Sequence, residues 1–178
     1  MLIVGGSLGA RLISEVMPEA ISNLPPELRA RLNVVQQTRQ EYLKAARSVF
    51  EKAGVSALCE SFFTDIETHL ASAHYIVGRA GASSVSEIAI MGKPSLLVPL
   101  GIATDDHQTE NAQTLNGLGA ADILPESQFT PERVRAVLED RLNDANWLET
   151  AARSARSAAY TNATESMAEL VIAAVGNA

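Results

Sequence analysis

The chain has 178 residues, a length that fits one domain, and 47% of them are hydrophobic while only 4% are aromatic. A core of Ala, Val, Leu and Ile favours helices packed on parallel strands over a sandwich of short, aromatic-rich strands. The net charge of −7 comes without a basic run. It argues against nucleic acid as a partner and against docking of this chain on anionic lipid.

Short apolar runs alternate with helical patterns along the chain. Strands are predicted at Leu2–Val4, Leu32–Gln37, Ser56–Phe62, Tyr75–Gly78, Pro94–Leu100 and Ala121–Leu124. Helices are predicted at Ala10–Leu24, Gln40–Ala53, Asp65–Ala73, from the glycine loop after the fourth strand to Met91, and at Asp105–Leu118, Pro131–Leu142, Ala145–Ala159 and Thr164–Val175. Pro18 is expected to bend or split the first helix. Six strands, each followed by a helix, predict an α/β fold with a doubly wound, six-stranded parallel sheet in a single domain, residues 1–178.

The chain starts abruptly. Met1 leads directly into a strand with no basic segment or long apolar core, so no signal peptide is indicated. No run approaches the roughly 18 apolar residues of a membrane span. A core strand rarely begins at the first residue, so we expect an upstream portion that was removed or lies on another chain.

The first glycine turn, Gly5–Gly9, lies between a strand and a helix. Glycine lets the backbone approach a ligand closely, and the helix that follows offers free amides to an anion. The alternative is a tight turn that serves only packing. The spacing is not that of the dinucleotide fingerprint, and the second strand ends in Gln36-Gln37-Thr38 without an acidic group for a ribose, which disfavours a nicotinamide cofactor.

The second glycine site, Arg79–Ser84, also opens a helix, and its small residues leave room for a bulky ligand. Ser84 and Glu87 have the S-x-x-E spacing of a capping box, so Glu87 is expected either to bond the backbone at the helix start or to accept both hydroxyls of a ribose. Spacing alone leaves both roles open.

The third cluster, Asp105–Asn111, is dense in hydrogen-bonding groups, and His107 and Asn111 lie one helical turn apart. It suits a ligand with several hydroxyls. A solvated first turn is the alternative, and a metal site is a third, weaker one, because two aspartates and one histidine in sequence cannot all point inward from a helix.

Four other residues are interpreted as structural. Cys59 is expected to be buried in a strand, with a position near a ligand as the alternative. His69 and His74 are expected to be surface or capping groups, and Trp147 to be a packing residue. No Ser-His-Asp order, Walker loop or zinc spacing is present.

The order and spacing of these motifs resemble the C-terminal, donor-binding domain of glycosyltransferase family 28. The resemblance covers nearly the whole chain and is carried by Gly5–Arg11, Phe62–Ile66, Arg79–Glu87, Gly92–Pro94, Val98-Pro99, Asp105–Gln108 and Asn111-Ala112. It implies a Rossmann-like half of a two-domain GT-B enzyme. Such enzymes transfer N-acetylglucosamine from UDP-N-acetylglucosamine to the undecaprenyl-linked muramyl-pentapeptide (lipid I) to form lipid II in peptidoglycan synthesis.

Carried over position by position, the resemblance implies how this chain would bind the donor. The substrate-binding residues would be Ser7 at the diphosphate, Phe63 with its backbone on the uracil edge, Ala82 with amides facing phosphates and sugar, Glu87 at the ribose hydroxyls, and Gln108 and Asn111 at the sugar hydroxyls, with His107 beside them. The phosphate loops would contain Gly6, Gly9, Gly81 and Ser83. The side chain of Phe63 is expected to matter little.

The resemblance also implies what this half lacks. No cofactor and no active-site metal is expected, and Asp105-Asp106 would not bind one. The general base, the contacts to the lipid-linked acceptor and the membrane-facing patch belong to an N-terminal domain absent from this chain, so no catalytic residue is expected here. The full-length enzyme would be peripheral, at the inner face of the bacterial cell membrane. Alone, the chain is expected to bind the donor weakly and to turn over nothing.

Three other functions stay open. The first is the donor-binding half of a UDP-N-acetylglucosamine epimerase of the same architecture, which needs other acid and base residues. The second is the donor-binding half of a naturally split transferase of the dolichol-pathway type, with its membrane half on a separate protein. The third is a Rossmann-like binding or regulatory module without chemistry.

Overall fold

The computed structural model describes residues 1–6, 10–100, 107–159 and 172. Its strands are β1 (Leu2–Val4), β2 (Asn33–Gln37), β3 (Ser56–Glu60), β4 (Ile76–Gly78), β5 (Ser95–Leu97) and β6 (Ala121–Ile123). Its helices are α1 (Arg11–Ser22), α2 (Pro26–Arg29), α3 (Leu43–Ala53), α4 (Ile66–Ser72), α5 (Ala82–Met91), α6 (His107–Asn116), α7 (Pro131–Asn143) and α8 (Ala145–Ser157). Single 3-10 turns lie at Gln40–Tyr42 and Glu126–Gln128.

In the described part of the chain the six strands form one parallel sheet in the order β3-β2-β1-β4-β5-β6. The chain builds outward from β1 to β3 and then crosses to β4, on the other side of β1. Val4 and Gly78 end these two central strands and are register partners. Because the strand order reverses between β1 and β4, a crevice opens at their carboxyl ends, where doubly wound sheets bind ligands.

Each face of the sheet carries its own apolar core, as expected for parallel strands buried on both sides. One core packs α1, α3 and α7 against residues such as Ile3 and Val77, and the other packs α4, α5 and α6 against Leu2 and Ile76. The alternation of side chains along β1 and β4 explains this division, since neighbours in a strand point to opposite faces. The two layers of helices hold the strand ends in fixed positions.

The predicted fold class is confirmed, and the differences lie mainly at element ends. The fifth strand is limited to Ser95–Leu97, and the third ends at Glu60, which leaves Phe62 outside it. Helix α1 runs through Pro18 without a break, so of the two predicted effects of Pro18, a bend or a split, the split is wrong. The predicted last helix, Thr164–Val175, lies outside the described residues except for position 172. None of the described helices is both long and apolar enough to cross a bilayer.

Candidate functional site

A cavity of about 240 Å³ lies at the carboxyl ends of β1 and β4, where the strand order reverses. Its walls come from strands β1, β2 and β4, from the loops after β1, β3 and β4, and from one side of α4 and α5. The lining residues are Val4, Gly6, Gln37, Phe62, Phe63, Ile66, Leu70, Ile76, Arg79, Ser84, Glu87 and Ile88. Sites for whole ligands commonly span about 300–1,000 Å³, so this cavity has room for only part of a ligand of that size.

The cavity is mainly apolar and has an aromatic edge. The Phe62 side chain is 68% exposed at its mouth, whereas Phe63 is 8% exposed. The Phe63 ring meets His69 edge-on, with 4.8 Å between ring centroids. His69 lies inside α4 with an 18% exposed side chain, and its Nε2 is 3.7 Å from an Asp65 oxygen, so the prediction that it is a surface or capping group is wrong. Exposed His74 agrees with that prediction.

Glu87 lies on the side of α5 that faces this cavity, together with Ser84 and Ile88. The helix begins at Ala82 with Gly81 as its N-cap, and the first helical bond runs from Val85 N to Gly81 O at 2.9 Å. A capping box requires its serine at the N-cap. Ser84 is instead the third residue of the helix, so the capping role considered for Glu87 is wrong, and its carboxylate is exposed beside the cavity.

The start of α5 has open space in front of its first backbone amides. Gly81 has φ −62°, and a Cβ added there would meet only Ser84 Oγ, at 3.9 Å, so the space above it is open. The amides of Ala82 and Ser83 come directly after the N-cap, where helix amides have no partner within the helix. Predicted phosphate-loop positions Gly81 and Ser83 therefore lie together at one helix start, next to the cavity.

The other glycine turn is described only in part. Gly6 follows β1 and lines the cavity. Its φ of +84° is a backbone conformation that residues other than glycine rarely adopt. Ser7 and Gly9 lie outside the described residues. The structure thus brings Gly6, Phe63 and Glu87 together around one cavity, and Gly81, Ala82 and Ser83 lie in the chain between its lining residues Arg79 and Ser84.

The polar cluster on α6 is tied to two neighbouring loops. Leu100 N donates to Gln108 Oε1 at 3.1 Å, and Asn111 Nδ2 donates to Ala80 O at 3.1 Å. The solvated-turn alternative is wrong for these two amides, although His107 has a 74% exposed side chain, with Nδ1 4.0 Å from a Glu110 oxygen. Each bond fixes the orientation of its amide, so Gln108 Nε2 and Asn111 Oδ1 are the amide atoms that these two bonds do not use.

The metal alternative for the third cluster stays untested. No group of three His, Cys, Asp or Glu within residues 1–6, 10–100 and 107–159 is arranged to hold a metal ion. Asp105 and Asp106 lie outside those ranges.

Two polar residues of the cavity, Gln37 and Arg79, were not among the predicted site residues, and neither was Glu126, which pairs with Arg79. Gln37 ends β2, and its Nε2 is 3.5 Å from Ser61 O. Arg79 follows β4 and is paired with Glu126. The positions of Gln37 and Arg79 at the carboxyl ends of strands were a usable signal. No sequence signal pointed to Glu126, which lies 47 residues away from Arg79 in the chain.

The two residues interpreted as packing groups are confirmed. Cys59 is buried in β3 within one of the two cores, where burial raises the pKa of its thiol. The ring of Trp147 lies under the Arg141 guanidinium, 4.5 Å from its centroid, and packs towards Tyr75.

Comparison with known proteins decides the family. The glycosyltransferase family 28 C-terminal domain matches residues 1–170. The chain belongs to glycosyltransferase family 28. Two family 28 relatives carry the same name, UDP-N-acetylglucosamine–N-acetylmuramyl-(pentapeptide) pyrophosphoryl-undecaprenol N-acetylglucosamine transferase. The Maricaulis maris protein is 44% identical over 171 residues, 96% of this chain and 46% of that protein. The Phenylobacterium zucineum protein is 47% identical over 171 residues, 96% of this chain and 47% of that protein.

A solved family 28 structure agrees with these relatives. The crystal structure of Acinetobacter baumannii MurG superimposes with a TM-score of 0.82 at 35% identity, covering 95% of this chain and 50% of that one. The predicted Rossmann-like half of a GT-B glycosyltransferase is thereby confirmed. The chain spans about half the length of the family 28 relatives it matches.

Proposed function

We propose that this chain is the donor-binding half of an inverting transferase that moves N-acetylglucosamine from UDP-N-acetylglucosamine to an undecaprenyl-linked muramyl-pentapeptide in peptidoglycan synthesis. The observation that carries the proposal is the cavity at the β1–β4 crossover, with the Glu87 carboxylate and the open start of α5 at its edge. The names and 44–47% identity of the family 28 relatives support it.

The donor would lie along the strand ends. Its uracil would enter the 240 Å³ cavity beside the Phe63 backbone, and Glu87 would accept the two ribose hydroxyls. The diphosphate would then lie over Gly81 and the first amides of α5, next to Gly6. This places the sugar near α6, where Gln108 presents a donor and Asn111 an acceptor to its hydroxyls. Ser7 and Gly9 would complete the phosphate loops, and His107 would lie beside the sugar.

This half would contribute electrostatic stabilisation to the reaction. An acceptor hydroxyl, deprotonated by a base from the other half, would attack the anomeric carbon as the bond to the UDP oxygen breaks, which inverts that centre. Negative charge then grows on the leaving diphosphate. Helix N-terminal amides oriented in advance stabilise such charge without reorganising, so the step needs no metal ion from this half. No residue of this half acts as an acid or a base.

The acceptor and the membrane would be contacted by an N-terminal domain on the remaining half of the protein. With an acceptor on a lipid carrier, the complete enzyme would be a peripheral protein at the inner face of the bacterial cell membrane. An epimerase half and the donor half of a split dolichol-type transferase would share this fold, but the family 28 relatives named above favour the peptidoglycan transferase.

Calorimetric titration of the chain tests the proposal. UDP-N-acetylglucosamine is expected to bind more tightly than UDP-glucose, and NAD is expected not to bind. The chain alone is expected to produce no lipid-linked disaccharide and no epimerised sugar. Equal affinity for NAD, or epimerised product from UDP-N-acetylglucosamine alone, would contradict the proposal.

A further inference from the structure

Arg79 lines the cavity, yet its terminal guanidinium nitrogens are bonded to the protein. Nη1 donates to Val98 O at 3.1 Å and to Pro99 O at 3.5 Å, and Nη2 donates to the Glu126 carboxylate. The side chains of Arg79 and Glu126 are 13% and 24% exposed. A charge-assisted pair at this low exposure is screened little by solvent, so it holds the guanidinium in place.

These bonds join the ends of three adjacent strands. Arg79 follows β4 directly, Val98 and Pro99 follow β5, and Glu126 lies in the turn after β6. A lysine could not reproduce this arrangement, because its ammonium lacks the planar fork that lets one arginine reach several fixed acceptors. One side chain therefore sets the relative positions of three loops at the edge of the proposed donor site.

Helix α6 is attached to two of these loops. Gln108 Oε1 accepts a hydrogen bond from the amide of Leu100, which follows Pro99 in the loop after β5. Asn111 Nδ2 donates to the carbonyl of Ala80, which follows Arg79 in the loop after β4. The bonds thus form a closed ring from Arg79 through the loop after β5 to α6 and back to the loop after β4. The orientations of the Gln108 and Asn111 amides depend on where these two loops lie.

We propose that Arg79, with Glu126 as its fixed counter-ion, is a positioning residue for the sugar of the donor. It sets the loops that orient Gln108 and Asn111, and it does not bind the diphosphate, because Glu126 neutralises its charge and the carbonyls of Val98 and Pro99 occupy its other terminal nitrogen. This inference rests on the proposed function and adds to it the source of discrimination between UDP and UDP-N-acetylglucosamine.

The test compares two affinities in each variant, those for UDP and for UDP-N-acetylglucosamine, by calorimetry. Arg79→Lys and Glu126→Ala are expected to weaken the affinity for UDP-N-acetylglucosamine at least fivefold, while the affinity for UDP changes less than twofold. Glu126→Gln, which keeps an acceptor oxygen for Arg79, is expected to restore most of the loss. Arg141→Lys serves as the control, because Arg141 also forms a part-buried pair with a carboxylate, that of Asp122, and neither residue lines the cavity. It is expected to leave both affinities unchanged.

A direct phosphate contact gives a different pattern. Arg79→Lys would then weaken UDP and UDP-N-acetylglucosamine equally, and Glu126→Gln would strengthen both by freeing the cation; either result overturns the inference. A ratio of affinities that stays constant in every variant overturns it too. Thermal melting identifies any unfolded variant, and the comparison of Glu126→Ala with Glu126→Gln decides the test if Arg79→Lys does not fold. Failure of the unsubstituted chain to bind UDP contradicts the proposed function itself, and this inference with it.

Discussion

Two glycines at neighbouring positions, Gly78 and Gly81, are expected to respond oppositely to substitution by alanine. At Gly78 an added Cβ would lie 2.9 Å from Val4 Cγ2 and 3.1 Å from Val4 O. The carbonyl belongs to the paired strand β1 and cannot move aside. Overpacking of this kind costs roughly 1–3 kcal/mol. For a domain of this size that corresponds to a melting temperature lower by about 2–12 °C.

At Gly81 the same change meets open space, with Ser84 Oγ at 3.9 Å and φ at −62°. Alanine is a poorer N-cap than glycine by up to about 1 kcal/mol. Alanine also makes the unfolded chain less flexible, which stabilises the folded state by about 0.4–1 kcal/mol. The two effects nearly cancel, so the net change in the free energy of unfolding is near zero. The new methyl group would, however, stand where the diphosphate approaches the α5 amides. Gly81→Ala is therefore expected to weaken UDP binding at least tenfold.

Urea denaturation and calorimetric titration with UDP separate the two effects. Gly78→Ala is expected to lower stability, and Gly81→Ala is expected to keep stability and lose affinity. If Gly81→Ala binds UDP as the unsubstituted chain does, the start of α5 does not hold the diphosphate. If Gly78→Ala has the stability of the unsubstituted chain, β1 and β4 must be able to move apart enough to accept the new methyl group, and the reasoning from the distances to Val4 is wrong.

Three further predictions concern the core. Phe63→Ala is expected to lower the unfolding free energy by about 3 kcal/mol or more, because it empties an 8% exposed site packed on His69; a change below 1 kcal/mol in urea denaturation would contradict this. No described residue forms a hydrogen bond with the buried hydroxyl of Tyr75, and burial raises the pKa of this group. Unfolded tyrosine ionises near pH 10, so stability is fully present below that pH and is lost at about 1.4 kcal/mol per pH unit above it. Tyr75→Phe is expected to remove this loss without destabilising the protein at pH 7, measured as melting temperature against pH, and an unchanged pH profile would refute it. Burial also raises the pKa of the Cys59 thiol, so a disulfide reagent is expected to label it only in denaturant, and rapid labelling of the native chain would be the contrary result.

The sequence was sufficient for the fold class because each strand and helix carries its own periodicity. The strand order could not be predicted from these local patterns. The pairing of Val4 with Gly78 joins residues far apart in the chain, and only the crossover after β3 makes them neighbours. The location of the cavity follows from that crossover. Its apolar wall joins Ile66, which lies in the Phe62–Ile66 motif, to Leu70, which lies in none of the motifs.

Site residues could be predicted where they lie together in one loop of the sequence. They were missed where residues from distant parts of the chain come together only in the folded structure. The two roles of Glu87 could not be separated by spacing, because a capping box depends on where the helix begins, and α5 begins at Ala82 rather than after Ser84. The pairing of Arg79 with Glu126 required the ends of β4 and β6 to be placed in space. The roles in donor binding carried over from the family stay predictions.

Glu87 provides the most direct test of the donor site. The measurement is the affinity of the chain and of Glu87→Gln for UDP and for deoxy-UDP, which lacks the 2′ hydroxyl. A hydrogen bond to a charged group contributes about 1–3 kcal/mol, so Glu87→Gln is expected to weaken UDP roughly 5- to 150-fold and deoxy-UDP by clearly less. Glu51→Gln, on the distant helix α3, is the control and is expected to change neither. Equal losses for UDP and deoxy-UDP, or no loss at all, would contradict the placement of the ribose beside Glu87.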